Sequence, residues 1–176
     1  MRRVRFSVAM SLDGYIAGPN GESDWIVMDP DIDFRALMGS FDTVLLGRKT
    51  YEAAKKQGHG GGMPGMKAYV FSRTLSAKDC PGAVVSENPA ATLAEIKGKP
   101  GKDIWLFGGG GLFRSLLALG LVDSVEVAVI PVLLGGGLPL LPGTDGRTKL
   151  RLVKHRIYEK TGTVGLEYDV TRARRR

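Results

Sequence analysis

The sequence predicts a single α/β domain whose sheet is mostly parallel and ends in antiparallel strands. Apolar runs typical of buried strands alternate with helical patterns up to about residue 120. After that point, segments of alternating polar and apolar residues follow one another with no helix between them. The length of 176 residues and the apolar content of 43% suit one such domain with a sizeable core, and no repeat or linker divides it.

The amino-terminal half supplies three strands and two helices. The run "VRFSVAMS" predicts a strand that enters the core, and "LDGYIAGPNGESDW" has the Asp-Gly, Gly-Pro and Asn-Gly signals of a loop. The segment "DPDIDFRALMGSF" predicts a short helix capped by Asp29 or Asp31. Next come a buried strand "TVLLG", a helix "RKTYEAAKKQ" directly after Gly47, a glycine-rich loop "HGGGMPGM" and a strand "KAYVFS".

The carboxyl-terminal half continues the alternation and then changes pattern. A strand "GAVVS" precedes a helix from Pro89 to Lys97, where proline suits the first turn. The strand "DIWLF" leads into the helix "GGLFRSLLALG", which we expect to stop at Gly120. Three strands follow, "SVEVAVIPVLLG", "KLRLVKHRIYE" and "TVGLEYDVT", with "VLLGGGLPLLPGTDGRT" as a long loop. The prediction is a domain of about eight strands and four helices over residues 1–171.

Charge and cysteine content limit the functional classes. The net charge is +7, and four arginines stand in the terminal "RARRR", residues 172–176, which we interpret as a solvated basic tail rather than a nucleic-acid patch. The positive excess left without the tail suits a protein that binds phosphorylated small molecules. No apolar run approaches the ~20 residues that span a membrane, and Cys80 alone excludes an internal disulfide framework. We therefore expect a cytoplasmic protein that binds neither membrane nor nucleic acid.

Four consecutive glycines in "KDIWLFGGGGLFRSLL" mark the main candidate site. Gly108 to Gly111 join a predicted strand to a predicted helix, where bare backbone exposes N–H groups at the positive end of a helix dipole. Side chains there would block a pyrophosphate. A tight packing turn is the alternative, but one glycine would serve it. The spacing fits neither the G-x-G-x-x-G fingerprint, because Phe113 holds its final position, nor a P-loop.

Two further strand ends carry groups that attract anions. In "LLGRKTYE", Arg48, Lys49 and Thr50 stand at a helix start, where cations are unfavourable unless an anion offsets them. In "VFSRTLS", Ser72 and Arg73 close another strand, and a hydroxyl beside a guanidinium can bind a phosphate monoester. Solvated charges are the alternative at both places. Because ligands of open α/β sheets bind at the carboxyl ends of the strands, the three sites together predict one binding edge.

These segments, in this order and spacing, resemble the dihydrofolate-reductase-like superfamily. The similarity lies in "SVAMSLDGYIAG", "LLGRKTYE", "VFSRTL", "IWLFGGGGLFRSLL" and "AVIPVLLGGGLPLL", and it extends from about Arg3 to Asp169. It is greatest to the reductase domain of the riboflavin-synthesis deaminase–reductase and to its stand-alone relatives. The resemblance implies a central eight-stranded, mostly parallel sheet flanked by four helices, with NADPH as the cofactor.

The same resemblance assigns cofactor contacts to individual residues. Backbone groups on strand and loop would meet the nicotinamide amide, and the glycine run would wrap the pyrophosphate with a strained Gly108–Gly109 peptide. Cations and hydroxyls would hold phosphate from the other side and face the 2′-phosphate. The implied set is Ala9, Ile16, Gly47, Arg48, Lys49, Thr50, Ser72, Arg73, Gly108, Gly109, Gly110, Gly111 and Leu112.

The implied substrate residues are Trp25, Asp31 and Phe34. Trp25 matches the tryptophan that closes a loop over the pterin in dihydrofolate reductases. Asp31 matches the single carboxylate that binds the heterocycle and helps to protonate it, so it is the implied catalytic residue. Asp33 is a rival for that role, and stabilisation by a helix dipole is the structural alternative for Asp31.

Several positions depart from the dihydrofolate reductase pattern. Asp24 precedes Trp25 where those enzymes have proline. Met66 beside Lys67 stands where an arginine meets the carboxylate of the folate tail, and Ala128 stands where a threonine backs the acid. These departures argue against folate as the substrate.

The sequence thus predicts an NADPH-dependent reductase that transfers a hydride to a small heterocycle or a sugar-like carbonyl or imine. The best-defined candidate is the ribosylaminopyrimidine phosphate of riboflavin synthesis. A dihydrofolate or pterin reductase, and a non-catalytic nucleotide- or nucleic-acid-binding module, are the alternatives. We expect no metal, because His59 and His155 lack metal-ligand spacing, and no reactive role for Cys80. Asp13 is expected to bond its own backbone in a turn.

We also expect a homodimer, because no helix is left in the sequence to cover the antiparallel end of the sheet. Riboflavin-type reductases, which the chain resembles, associate through this region. A monomer whose Gly137–Gly146 loop shields the edge is the alternative. The predicted apolar surface comprises Val125, Val127, Val129, Leu152, Ile157 and Leu166.

Overall fold

The computed structural model describes residues 1–56, 58, 62–143 and 146–171. Gln57, His59 and the basic tail 172–176 lie outside the described residues. The helices are α1 (Phe34–Gly39), α2 (Arg48–Lys56), α3 (Pro89–Lys97) and α4 (Gly110–Ala118). The strands are β1 (Val4–Ser11), β2 (Tyr15–Ala17), β3 (Phe41–Gly47), β4 (Lys67–Phe71), β5 (Ala83–Ser86), β6 (Asp103–Leu106), β7 (Ser124–Ile130), β8 (Leu138–Pro139), β9 (Leu150–Tyr158) and β10 (Thr163–Val170).

Eight of the strands form one sheet in the order β5-β4-β3-β6-β1-β7-β10-β9. The first six in this order are parallel, whereas β10 is antiparallel to both β7 and β9. β1 lies in the middle and pairs Val4 with Ile104 of β6 and Arg5 with Ser124 of β7. The predicted fold class, a mostly parallel eight-stranded sheet with an antiparallel end and four helices, is confirmed.

A second, two-stranded sheet lies in segments that the sequence predicts to be loops. β2 pairs antiparallel with β8, bringing Tyr15 opposite Pro139 and Ala17 opposite Leu138. The backbone N–H of Leu140 also donates to the Gly14 carbonyl at 2.9 Å. Strands of two or three residues show no alternation in a sequence, and their partners lie more than a hundred residues away. The loop prediction therefore missed them.

The cap of α1 corrects another expectation. Asp33, not Asp29 or Asp31, is the N-cap, and its side chain accepts a hydrogen bond from the Ala36 backbone N–H at 2.8 Å. The helix begins at Phe34, so only the residue directly before it can reach the free N–H groups of the first turn. The side chains of Asp29 and Asp31 therefore do not cap α1.

Two apolar clusters lie on opposite faces of the sheet, because successive strand residues point to opposite sides. One cluster joins the strands to α3 and α4, with Leu93 and Phe113 among its buried members. The other joins them to α1 and α2 and includes Tyr51 and Trp105. Within the described residues, no helix is both long and apolar enough to cross a membrane.

The antiparallel end of the sheet has an apolar face without a covering helix, since none follows α4 in the described residues. Leu152 and Ile157 of β9 are 49% and 64% exposed. Val125 and Val127, however, are buried in the subunit's own core. Val129 and Leu166 are half-buried against that core, so the exposed apolar face is smaller than the sequence predicts and lies mainly on β9.

Candidate active site at the carboxyl edge of the sheet

Two helices begin side by side at the carboxyl ends of the neighbouring strands β3 and β6. α2 starts at Arg48, directly after the last residue of β3, and has no acidic residue in its first turn. α4 starts at Gly110, and no side chain caps it. Its first backbone bond runs from the Phe113 N–H to the Gly109 carbonyl at 3.1 Å. The N–H groups of the first turn therefore point out from the positive end of the helix dipole, which suits an anion.

The four glycines differ in what surrounds them. A Cβ at Gly108 would lie 2.7 Å from the Gly47 nitrogen, and one at Gly110 would lie 2.7 Å from the Pro139 carbonyl oxygen. Gly109 has φ +65°, a left-handed conformation that side chains disfavour. A Cβ at Gly111 would meet no atom of the described residues within 4 Å. Packing and backbone conformation thus account for three glycines, and only Gly111 has open space over it.

The structure gives no sign of the strained Gly108–Gly109 peptide that the resemblance implies, because glycine adopts the positive φ of Gly109 without strain. The structure has no cis peptide bond in the described part of the chain, so the Gly108–Gly109 peptide is trans. The N–H groups of Phe107 and Gly108 both donate to the Leu45 carbonyl, at 3.2 and 3.1 Å. These bonds hold the turn against the end of β3.

The predicted anion-binding residues share this edge, because β3, β4 and β6 are parallel neighbours in the sheet. Lys49 and Arg73 are exposed and form no ion pair among the described residues. Arg48 lies 3.3 Å from Glu52, an exposed pair one helical turn apart. The Ser72 hydroxyl accepts hydrogen bonds from the N–H groups of Thr74 and Leu75, at 3.1 and 3.0 Å. Ser72 therefore shapes the turn that carries Arg73.

Thr50 and Leu112 complete the predicted cofactor surface. Thr50 is half-buried in the first turn of α2, and its hydroxyl would stand 3.0 Å from a Cβ at Gly109. Leu112 is half-buried in the first turn of α4, and its Cβ would lie 3.6 Å from a Cβ at Gly47. Each helix thus places a first-turn side chain beside the glycine that precedes the other helix.

The residues predicted to meet the nicotinamide lie on β1 and β2. Ala9 is in β1 opposite Ala128 of β7, and Ile16 is in the short strand β2. The buried Ser11 hydroxyl accepts from the Tyr15 N–H at 2.9 Å and donates to Asp13 at 2.6 Å. This joins the end of β1 to β2.

Asp13 reaches much farther than a local turn. Its carboxylate accepts hydrogen bonds from the N–H groups of Leu134, at 3.1 Å, and Gly135, at 2.8 Å. The bond from Ser11, followed by those from Gly135 and Leu134, lowers the pKa of the Asp13 carboxyl. Asp13 therefore fastens the loop after β7 to the β1–β2 turn.

The predicted substrate residues lie between β2 and the first turn of α1. Trp25 is half-buried, and its Nε1 donates to the Glu22 carbonyl at 3.1 Å. Phe34 opens α1 and is 37% exposed. Asp31 is exposed and forms an ion pair with Lys160 in the β9–β10 turn at 2.8 Å. This pairing raises the pKa of Lys160.

Sequence reasoning missed the buried carboxylate of this segment. Asp29 is 1% exposed and accepts from the N–H and hydroxyl of Thr161, at 3.1 and 2.9 Å, and from the Asp31 N–H, at 2.9 Å. Burial alone would raise the pKa of the Asp29 carboxyl, but these hydrogen bonds outweigh it and lower the pKa. Nothing in the local sequence distinguishes Asp29 from its neighbours, because its partner lies 132 residues away.

Other candidate groups lie away from this edge or are inaccessible. His155 is exposed in the middle of β9, and Cys80 is buried beside Tyr51. Burial raises the pKa of the Cys80 thiol, which leaves it protonated and unreactive. No cluster of three His, Cys, Asp or Glu side chains within the described residues could hold a metal ion.

Comparison with known proteins identifies the family. Residues 2–163 match the model described as RibD C-terminal domain. The uncharacterized protein YyaP of Bacillus subtilis (strain 168) is 36% identical to this chain over 178 residues, covering 95% of this chain and 94% of its own.

Two solved structures illustrate the shared fold. A putative riboflavin biosynthesis protein from Shewanella sp. PV-4 has a TM-score of 0.79 and 26% identity, covering 98% of this chain and 100% of its own. Dihydrofolate reductase from Enterococcus faecalis, in complex with NADP(H), has a TM-score of 0.70 and 17% identity over 97% of both chains. The chain therefore has the fold of dihydrofolate reductase, and with a family match over residues 2–163 it belongs to the RibD C-terminal domain family.

Proposed function

We propose that the protein is an NADPH-dependent reductase. The observation that carries this proposal is the pair of adjacent helix starts at the ends of β3 and β6, where the backbone at Gly111 is open and cations flank it. This arrangement fits a pyrophosphate, because it combines free N–H groups, two helix dipoles and unpaired positive charge. Membership of the RibD C-terminal domain family and the NADP(H) complex of a protein with the same fold support the same cofactor.

In this proposal the chain binds and orients NADPH, and the bound NADPH supplies the hydride. The first turn of α4 and Thr50 hold the pyrophosphate, while Arg73 and Ser72 face the 2′-phosphate. Backbone groups of Ala9 and Ile16 orient the nicotinamide amide. Ala9 stands on β1, Ile16 on β2, and Ser72 and Arg73 directly after β4, while the other groups lie in the first turns of α2 and α4. The proposed site is thus assembled from elements that the sheet fixes.

On the substrate side, Asp31 is the residue we propose to hold and deliver a proton. It is exposed at the carboxyl edge, where the Lys160 ammonium lies 2.8 Å away and orients the carboxylate. Trp25 and Phe34 offer aromatic surface to a heterocycle. Met66 is half-buried against the apolar cluster that includes Tyr51 and Trp105. Its uncharged side chain cannot form an ion pair with the carboxylate of a folate tail.

We propose a ribosylaminopyrimidine phosphate, 5-amino-6-(5-phosphoribosylamino)uracil, as the type of substrate. The family match and the similarity to the putative riboflavin biosynthesis protein from Shewanella sp. PV-4 support a riboflavin-pathway reductase. The test is steady-state oxidation of NADPH with this compound and, separately, with dihydrofolate. We expect turnover with the first and very slow or no turnover with the second. A dihydrofolate turnover number within about 1–10³ s⁻¹ would instead favour a dihydrofolate reductase.

We further propose that two subunits pair through the exposed apolar face of β9. Leu150, Leu152 and Ile157 are 43%, 49% and 64% exposed there. An edge strand with apolar side chains attracts a partner, and two-fold pairing is the commonest arrangement of soluble oligomers. We also propose a cytoplasmic location, because a buried free thiol such as Cys80 suits a reducing compartment.

A further inference from the structure

Asp29 is a buried carboxylate that the proposed reduction does not use. It is 1% exposed, so it can touch neither substrate nor solvent. Aspartate is almost never fully buried unless it is paired, because removing its charge from water is costly. Here three hydrogen bonds satisfy it, from the Asp31 N–H and from the N–H and hydroxyl of Thr161. A buried carboxylate with these three bonds fixes the positions of the two chain segments that donate to it.

What Asp29 holds together are two distant parts of the chain. One is the long connection between β2 and α1, which carries Trp25 and Asp31. The other is the β9–β10 turn, where the Thr161 hydroxyl also lies 2.9 Å from the hydroxyl of the buried Thr163. Beside this buried group, Lys160 and Asp31 form an exposed ion pair between the same two parts.

Apolar packing is a weak anchor for the connection. Val27 and Met28 are 55% and 52% exposed, and Phe34 at the start of α1 is 37% exposed. No residue of α1 is fully buried. Exposed ion pairs such as Asp31–Lys160 contribute little to stability. The buried hydrogen bonds of Asp29 are therefore the main fixed point between the connection and the sheet.

We infer that Asp29, acting with Thr161, is a positioning residue that fixes the substrate-side connection against the β9–β10 turn and thereby sets the place of Asp31. One Asp29 oxygen binds the backbone N–H of Asp31, and the Asp29 carbonyl accepts from the Ile32 N–H at 3.1 Å. The backbone on both sides of Asp31 is thus defined by a residue that never meets the substrate. The role of Asp29 in reduction rests on the proposed function. The hydrogen bonds of Asp29 with Thr161 and with the Asp31 N–H, which we call the clamp, do not depend on it.

The most direct test replaces the hydroxyl of the clamp. Thr161→Val keeps the shape and the backbone N–H but removes one bond to Asp29, while Thr161→Ser restores the hydroxyl. Glu159→Gln, an exposed neighbour in the same turn with no hydrogen bond or ion pair in the described residues, is the matched control. Asp29→Ala removes the whole clamp and should have a larger effect than Thr161→Val.

Amide hydrogen exchange at Asp31 reads the clamp without a substrate. Loss of a hydrogen bond worth ~1 kcal/mol should speed exchange several-fold in Thr161→Val, and more in Asp29→Ala. Thr161→Ser and Glu159→Gln should match the wild type. Unchanged exchange at Asp31 in both Asp29→Ala and Thr161→Val would overturn the clamp, whatever the protein catalyses.

Kinetics with the ribosylaminopyrimidine phosphate then test positioning. Because misplacing a reacting group by about 1 Å can cost up to 10²-fold in rate, we expect kcat to fall about tenfold or more in Asp29→Ala while NADPH affinity stays within about twofold. A parallel loss of NADPH affinity would show general unfolding and overturn the positioning role. If the wild type has no turnover, the proposed function fails, and the exchange result still decides on the clamp.

Discussion

Gly108 stands so close to Gly47 that a Cβ on Gly108 would lie 2.7 Å from the Gly47 backbone nitrogen. The ends of β3 and β6 thus meet backbone to backbone, with no side chain between them. This contact brings the starts of α2 and α4 together, and it separates the glycines of the run into two kinds. Gly108 is required by the fold, whereas a Cβ on Gly111 would meet no atom of the described residues within 4 Å.

Gly111→Ala should lower NADPH affinity by tenfold or more without destabilising the protein. The new Cβ would meet no atom within 4 Å in the part of the chain that the structure describes, and alanine favours a helix over glycine by ~1 kcal/mol. Fluorescence titration and a melting curve measure the two effects. Gly39→Ala, at the opposite edge of the sheet and equally free of contacts with the described residues, is the control. It should change neither the NADPH affinity nor the melting temperature strongly. Unaltered NADPH affinity in Gly111→Ala would leave packing as the only reason for the glycine run.

Arg73→Ala should separate NADPH from NADH. A charge-assisted hydrogen bond contributes ~1.5–3 kcal/mol, so NADPH affinity should fall roughly ten- to a hundredfold, and NADH affinity should barely change. Titrations with both dinucleotides provide the comparison. Lys99→Ala removes a cation at the opposite edge of the sheet and should affect neither. Equal losses for both cofactors would remove Arg73 from the 2′-phosphate site.

Asp31→Asn should abolish turnover and keep NADPH affinity, because an amide cannot deliver the proton. Asp33→Asn distinguishes the rival carboxylate. Asparagine is as good an N-cap as aspartate, so this change should preserve both α1 and activity. Steady-state rates and melting curves of both variants decide between them. If Asp33→Asn abolishes turnover while Asp31→Asn remains active, Asp33 rather than Asp31 delivers the proton.

The stability of the protein in acid should depend on Asp29. A carboxyl whose pKa is lowered by folding stabilises the native state above its unfolded pKa of about 3.9, and this contribution is lost as the pH falls through the folded pKa. The melting temperature of the wild type should therefore fall more steeply below pH ~4 than that of Asp29→Asn. Melting curves at a series of pH values test this. Asp24→Asn, an exposed change in the same connection, should retain the steep fall.

Sedimentation equilibrium at micromolar concentration tests the dimer. The wild type should have twice the 18.9 kDa mass of one chain, and the Ile157→Glu variant should have the mass of a single chain. Leu119→Glu places the same charge on another exposed apolar residue, at the end of α4, and should leave the dimer intact. A wild-type mass near 18.9 kDa would rule the dimer out.

The sequence predicts best what depends on local pattern. The strand–glycine–helix junctions at Gly47 and Gly108 lie where the sequence patterns predict them. The parallel sheet brings Arg48, directly after β3, and Ser72, directly after β4, to the same edge. Their contacts with a cofactor remain predictions. What the sequence misses depends on distant partners. β2 exists because β8 pairs with it, and Asp29 is buried because Thr161 reaches it from the far end of the chain.

The central place of β1 has a consequence for synthesis in the cell. This strand is synthesised before the other strands of the domain, yet its two neighbours are β6 and β7. Val4 therefore cannot pair with Ile104, nor Arg5 with Ser124, until those strands have been made. During translation β3, β4 and β5 can associate while β1 is still single, since they are adjacent in the sheet. Pairings of such long sequence separation form slowly and leave apolar strands open to aggregation. We therefore expect recovery of the native protein to depend on how well chaperones shield β1 until β7 emerges.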